Sequence, residues 1–101
     1  MAVAFITEFK IEGNDRSTTN YDAINDKLAH TEAPEGLILH FAGFDEEAGV
    51  FRVVNIWDTR EQGQTYQDEK VIPAAMEVVG PDARNRPARQ GSYDLHHLLK
   101  P

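Results

Sequence analysis

Two stretches in the middle of the chain, residues 37–44 (LILHFAGF) and 50–57 (VFRVVNIW), are apolar on both of the faces that a strand presents. In the second, Phe51, Val53, Asn55 and Trp57 share one parity, and Val50, Arg52, Val54 and Ile56 share the other. In the first, Leu37, Leu39 and Phe41 oppose Ile38, His40, Ala42 and Phe44. Successive side chains of a strand point to opposite faces, so an antiparallel sheet with one wet face alternates apolar with polar. These strands do not alternate, and both of their faces need cover. Asp45-Glu46-Glu47-Ala48-Gly49 between them marks an antiparallel hairpin.

The flanking sequence supplies the rest of the fold. Residues 2–11 (AVAFITEFKI) place Val3, Phe5, Thr7, Phe9 and Ile11 at period two, which predicts a first strand closed by the turn cluster EGND. Thr18, Thr19 and Asn20 offer capping oxygens, with Asp22 as a capping-box partner of Thr19. Tyr21, Ile24 and Leu28 recur at helical spacing, predicting a helix over 20–32 that ends at Ala33-Pro34-Glu35-Gly36. Thr59 with Gln62 caps a second helix over 60–72, in which Gly63 is a weak point; Pro73 breaks or kinks it, and its fixed φ suits the first turn of a short helical piece over 73–79. Residues 80–91 (GPDARNRPARQG) read as a loop and 92–100 (SYDLHHLLK) as a closing strand. The order β, α, β, β, α, β predicts an α+β, ferredoxin-like domain over residues 1–101, with a four-stranded antiparallel sheet and both helices on one face. A chain of 101 residues builds one core, and nothing in it is left over to cover the other sheet face. A second copy, sheet against sheet, is the economical cover and predicts an obligate homodimer; a monomer with an apolar patch is the alternative.

Composition excludes several classes of function. Without cysteine there is no disulfide framework, thiol nucleophile or cysteine metal site. A formal charge of −7 is the wrong sign for tracking nucleic acid or sensing an anionic membrane. No apolar run approaches the roughly 20 residues of a membrane span, and the N-terminus lacks signal-peptide character, so a cytoplasmic location is expected. Neither nucleotide-binding glycine loops nor a Gly-x-Ser-x-Gly elbow occur.

Gly36-Leu37-Ile38-Leu39-His40, the run Phe51-Arg52-Val53-Val54-Asn55-Ile56-Trp57-Asp58, Tyr66 and Pro73 resemble the dimeric α/β-barrel superfamily, in particular its small antibiotic biosynthesis monooxygenase-like proteins. The resemblance implies a homodimer whose sheets close into a barrel and a pocket in each subunit between sheet and helices. It also implies a chemistry drawn from a varied set that includes cofactor-free oxygenases of aromatic substrates, haem-degrading enzymes, cyclases and isomerases. Asn55, Trp57 and His40 match the residue types of the haem-degrading branch but not its pattern, so that activity is not carried over.

Five residues are candidates for a site. His40 interrupts an apolar strand, where an imidazole must be hydrogen-bonded, and its ordinary pKa near 6.5 suits proton transfer; it serves either as a base or as a structural histidine. Asn55 and Trp57 are two apart and share a face, so a carboxamide and an indole can hold an oxygen-bearing aromatic molecule, or simply fill the core. Whether His40 joins them depends on the hairpin register. Tyr21 and Tyr66, one per helix, are expected to wall the same pocket or to pack as ordinary amphipathic-helix residues. No metal is expected, because His96-His97 point apart on a strand and no ligand spacing brings His40 or Asp94 to them. His30 is explained by its place at a helix C-terminus. Arg84, Arg86 and Arg89 either hold an anion at a pocket mouth, grip a partner subunit, or are solvated. Arg52 needs an ionic partner, such as Glu8 across strands or across a dimer. The function expected is that of a small-molecule-binding homodimer, a monooxygenase-like enzyme working on an aromatic or apolar substrate with no metal or organic cofactor. In it His40 is the base, Asn55 orients a carbonyl, and Trp57, Tyr66 and Tyr21 are walls. The alternative is a non-catalytic dimeric binding or accessory protein.

Overall fold

The computed structural model describes residues 1–29 and 34–101. The elements run β1 (Val3–Lys10), α1 (Thr19–Ala29), β2 (Leu37–Asp45), β3 (Val50–Trp57), α2 (Arg60–Tyr66), a π turn (Gln67–Val71), α3 (Ile72–Val79), a 3₁₀ turn (Ala83–Asn85) and β4 (Arg89–Asp94). The four strands form one antiparallel sheet in the order β2-β3-β1-β4. This is the ferredoxin-like α+β arrangement that the element order predicts. The end of the first predicted helix and its terminator at Ala33 lie outside the described residues, as does His30.

Local chemistry explains each element. Thr18 starts α1: its carbonyl accepts from the Asp22 N–H (2.8 Å) and its hydroxyl donates to the Asp22 carboxylate (2.9 Å). At α2 the cap is the one expected, with Thr59 Oγ1 accepting from the Gln62 N–H at 3.2 Å. Pro73, lacking an N–H, sits in the first turn of the short helix α3, as its fixed φ predicts, and a π turn joins α2 to it. Gly63 is a point of close approach: a Cβ there would lie 2.6 Å from the Phe5 ring and 2.8 Å from the Trp57 indole. Its missing side chain lets α2 lie directly on β1 and β3.

The last strand is corrected. β4 is Arg89–Asp94 rather than 92–100. Among the described residues it pairs with β1 alone, and that pairing ends at Val3 opposite Asp94, with one further bond from the Leu95 N–H to the Ala2 carbonyl (2.8 Å). β4 ends at Asp94, so His96 and His97 lie outside the sheet.

The two sheet faces differ in cover. The helices lie over Val3, Phe5, Phe51 and Trp57, with Trp57 only 2% exposed. The opposite face carries Ile6, Leu39, Phe41, Val54, Ile56 and Tyr93, of which Leu39 (49%), Phe41 (51%) and Tyr93 (52%) are open. One end of this face is ionic. Glu8, itself buried, accepts from Arg52 Nε at 2.6 Å and lies 3.6 Å from Arg89, while Arg52 also donates to Asp45 at 2.7 Å. Arg52 thus finds its partner across strands, within the chain. An irregularity between Leu37 and Leu39 shifts the register, so that Leu37 lies opposite Trp57 instead of sharing the open face with Leu39 and Phe41.

Candidate functional site

The hairpin decides what the sequence leaves open. Gly49, at φ 72°, closes the turn with its N–H on the Asp45 carbonyl (2.9 Å), and Asp45 Oδ1 accepts from the Ala48 N–H at 3.0 Å. Those bonds hold the Asp45 carboxyl below the usual carboxylate range, the Ala48 N–H first and the Arg52 guanidinium second. The register so fixed pairs His40 with Asn55, side by side on the helix-covered face.

There the two side chains join a third. His40 Nδ1 lies 2.5 Å from Asn55 Oδ1, and Tyr21 Oη lies 2.7 Å from His40 Nε2. A carboxamide oxygen only accepts, so Nδ1 carries the proton and donates to Asn55. In the neutral ring Nε2 then accepts, and the Tyr21 hydroxyl donates to it. The tyrosine and imidazole planes are within 6° of parallel, with ring centroids 6.2 Å apart. Tyr21 is further held edge-on by Phe51 at 5.3 Å between centroids. The arrangement is a directed chain, Tyr21 to His40 to Asn55, in which the amide selects the tautomer and leaves Nε2 to accept from the Tyr21 hydroxyl.

The five sequence candidates do not line one pocket. Trp57 and Tyr66, 5.3 Å apart between rings, line a shallow cavity of about 330 Å³ at the C-terminal end of β3. Tyr21 lines a different one of about 390 Å³, with Phe44 and Phe51 from the sheet, Ile24 from α1 and Ala75 and Val79 from α3. The reason is position along β3. Tyr21 packs on Phe51 at the strand's beginning, whereas Trp57 is its last residue. His40 and Asn55 line neither cavity, and His40 reaches the larger one only through Tyr21. The predicted common pocket is therefore two cavities on one sheet face.

Sequence reasoning passed over other contributors. Phe44 and Phe51, 4.8 Å apart, form the floor of the larger cavity. Arg16 lies over the Phe44 ring at 5.9 Å while gripping Glu46 through two bonds of 2.7 and 3.1 Å. Of the three loop arginines, Arg84 lies 3.9 Å from Asp68 and Arg89 turns to Glu8, but Arg86 lines the larger cavity. Asp94 receives Arg60 at 3.1 Å. Among the described residues no three His, Asp or Glu side chains gather to hold a metal ion, and no helix is long and apolar enough to cross a membrane.

No family model matches this sequence. Nor does any curated protein. Solved structures do. SnoaB, a cofactor-independent oxygenase from Streptomyces nogalater, superposes with a TM-score of 0.64 at 13% identity, covering 97% of this chain and 96% of its own. A Chloroflexus aurantiacus protein provisionally named an antibiotic biosynthesis monooxygenase gives a TM-score of 0.59 at 12% identity over 99% and 98% of the two chains. A Nitrosomonas europaea protein of unknown function gives 0.67 at 15% identity over 99% and 94%. Over nearly its whole length, then, this chain has the fold of antibiotic biosynthesis monooxygenase-like proteins.

Proposed function

We propose that the protein is a homodimeric, cofactor-independent oxygenase-like enzyme for an aromatic substrate, with Tyr21, His40 and Asn55 as its proton-transfer chain. The single observation that carries this reading is the hydrogen-bonded chain itself, whose outer member lines a cavity floored by Phe44 and Phe51. Dioxygen reacts with an electron-rich aromatic anion and not with its protonated parent, so a protein without a redox group promotes the reaction by taking a proton in a dry pocket. As the substrate gives its proton to Tyr21 Oη, Tyr21 passes its own to His40 Nε2, and Asn55 Oδ1 holds the imidazolium through Nδ1–H. The balance is complete without a further reductant: a CH₂ flanked by aromatic rings plus O₂ gives a carbonyl and water. His40 acts here as a relay behind Tyr21 rather than as the direct base. The fold shared with a cofactor-independent oxygenase supports the reading.

Oxygen uptake with a panel of tricyclic phenols and hydroquinones tests it. His40→Ala and Tyr21→Phe should each lower turnover about a hundredfold or more. Equal rates in wild type and both variants would refute the relay. A second reading, a non-catalytic binding protein, is favoured by one observation, that both ring nitrogens of His40 are already bonded within the chain. Substrate binding without oxygen uptake across the panel would select it.

A further inference from the structure

Sheet, α1 and α3 wall the larger cavity through Phe44 and Phe51, Tyr21 and Val79. A further side is made by the segment between β1 and α1, which lends Glu12, Asp15 and Ser17 to the lining. Residues 12–17 are exposed, so this wall has solvent on its far side.

The segment is bonded chiefly to itself. Gly13, at φ 54°, makes its turn, the Asp15 N–H donates to the Glu12 carbonyl (2.9 Å), and the Ser17 N–H donates to Asp15 Oδ1 (2.8 Å). Arg16 gathers it further, donating through Nη1 to the Gly13 and Asp15 carbonyls at 3.0 and 3.1 Å. One end is fixed by the Ile11 N–H on the Gly49 carbonyl (2.9 Å) and the other by the Asp22 N–H on the Thr18 carbonyl (2.8 Å). Between those ends, among the described residues, the pair Arg16–Glu46 is the sole polar tie to another part of the chain. It has two prongs, 2.7 Å from Nη2 to Oε1 and 3.1 Å from Nε to Oε2, and it crosses to the turn between β2 and β3. The same guanidinium lies 5.9 Å over the Phe44 ring on the cavity floor. Both partners meet water, with 38% of the Arg16 side chain and 64% of the Glu46 side chain exposed. An ion pair so exposed is weak and is screened by salt, so it breaks and re-forms readily.

We propose that residues 12–17 are a strap over the larger cavity, latched by Arg16 on Glu46, and that a ligand enters and leaves when the latch opens. The strap turns about Ile11 and Thr18, where its ends are fixed. Tyr21, His40 and Asn55 lie beyond those hinges and keep their bonds to one another. This inference deepens the proposed function by naming what controls access to its site, and it rests on the reading of this cavity as the place where a ligand binds.

Stopped-flow binding of N-phenyl-1-naphthylamine to the full chain tests it. The probe brightens in apolar surroundings and carries no charge of its own to be screened. Methyl NMR should place it in the cavity through shifts at Ile24, Ala75 and Val79. Glu46→Gln leaves the bonds within the strap intact, and Arg16→Gln removes the latch from the other side. In both, association and dissociation should quicken together about two- to fivefold, the range of an exposed ion pair, with little change in affinity. About 1 M salt, where charges are screened over ~3 Å, should bring wild type to the rates of the variants at that same salt. The imidazole ¹⁵N shifts of His40 should be alike in all three proteins. Equal rates at low salt would overturn the proposal, as would a change in dissociation alone, which marks a residue that touches the probe. So would probe shifts confined to Ile6, Leu39 and Val54 on the open sheet face, or moved His40 signals, which mark a distorted site. Failure here is separable from failure of the catalytic reading. Latch-dependent rates with no oxygen uptake from the phenol panel remove only the oxygenase, and Tyr21-dependent uptake with rates indifferent to the latch removes only the strap.

Discussion

An imidazole bonded at both nitrogens cannot choose its tautomer freely, and at His40 the choice falls to Asn55. Sequence marks His40 as a polar residue in an apolar strand but cannot say which ring nitrogen is protonated, because that depends on a neighbour fifteen residues away. Asn55→Ala should release the choice. Imidazole ¹⁵N shifts are expected to move from the Nδ1–H form toward the Nε2–H form, which is ordinarily the commoner in water. Unchanged shifts would show that Tyr21 alone sets the tautomer. At the same scale, Trp57 and Tyr66 were legible as neighbours of a cavity, since aromatic residues at strand ends and on helix faces pack together. That Tyr21 faces a separate cavity was not legible, because helix periodicity gives a residue's face and not how far along the sheet it comes to rest.

The β2–β3 hairpin is the element that assembles the site, and its turn is held by charge. Asp45 is held in its ionised form by the Ala48 N–H and by Arg52, and Glu46 by Arg16. A carboxylate whose pKa is lower folded than unfolded adds stability that is present above its unfolded value, near 4, and is lost as pH falls through its folded value. The hairpin should therefore loosen first on acidification below about pH 4. Amide exchange at Ala48 and Gly49 is expected to accelerate there in wild type. In Asp45→Asn the Ala48 bond survives only as a neutral one, so exchange should be faster at pH 7 and change less with acid. Equal pH dependence in the two proteins would assign the acid response elsewhere.

For the whole molecule, the open sheet face is the largest unsettled account. Leu39, Phe41 and Tyr93 are each about half exposed, grouped on one surface and bordered by the Glu8–Arg52–Asp45 cluster. The homodimer proposed above would cover that surface sheet to sheet, with the ionic end where the apolar contact stops. Wild type should sediment at twice 11.4 kDa. Phe41→Lys should sediment as a monomer, because a buried ammonium facing its own copy is strongly disfavoured. A wild-type mass of 11.4 kDa at micromolar concentration would rule the dimer out.

Period-two and helical spacing, caps and turn residues determined the strands, helices and their order, because those signals act between residues a few positions apart. The same patterns exposed the feature that most constrains the chain, strands apolar on both faces, and the fold by itself covers one of those faces and leaves Leu39, Phe41 and Tyr93 exposed on the other. Where local signals ran out, at the last strand, long-range pairing prevailed. Register, the His40–Asn55 contact, the division into two cavities and the placement of Arg86 in the lining of one of them belong to tertiary structure alone. Each is set by distances between segments far apart in the chain, which no local pattern of side chains encodes.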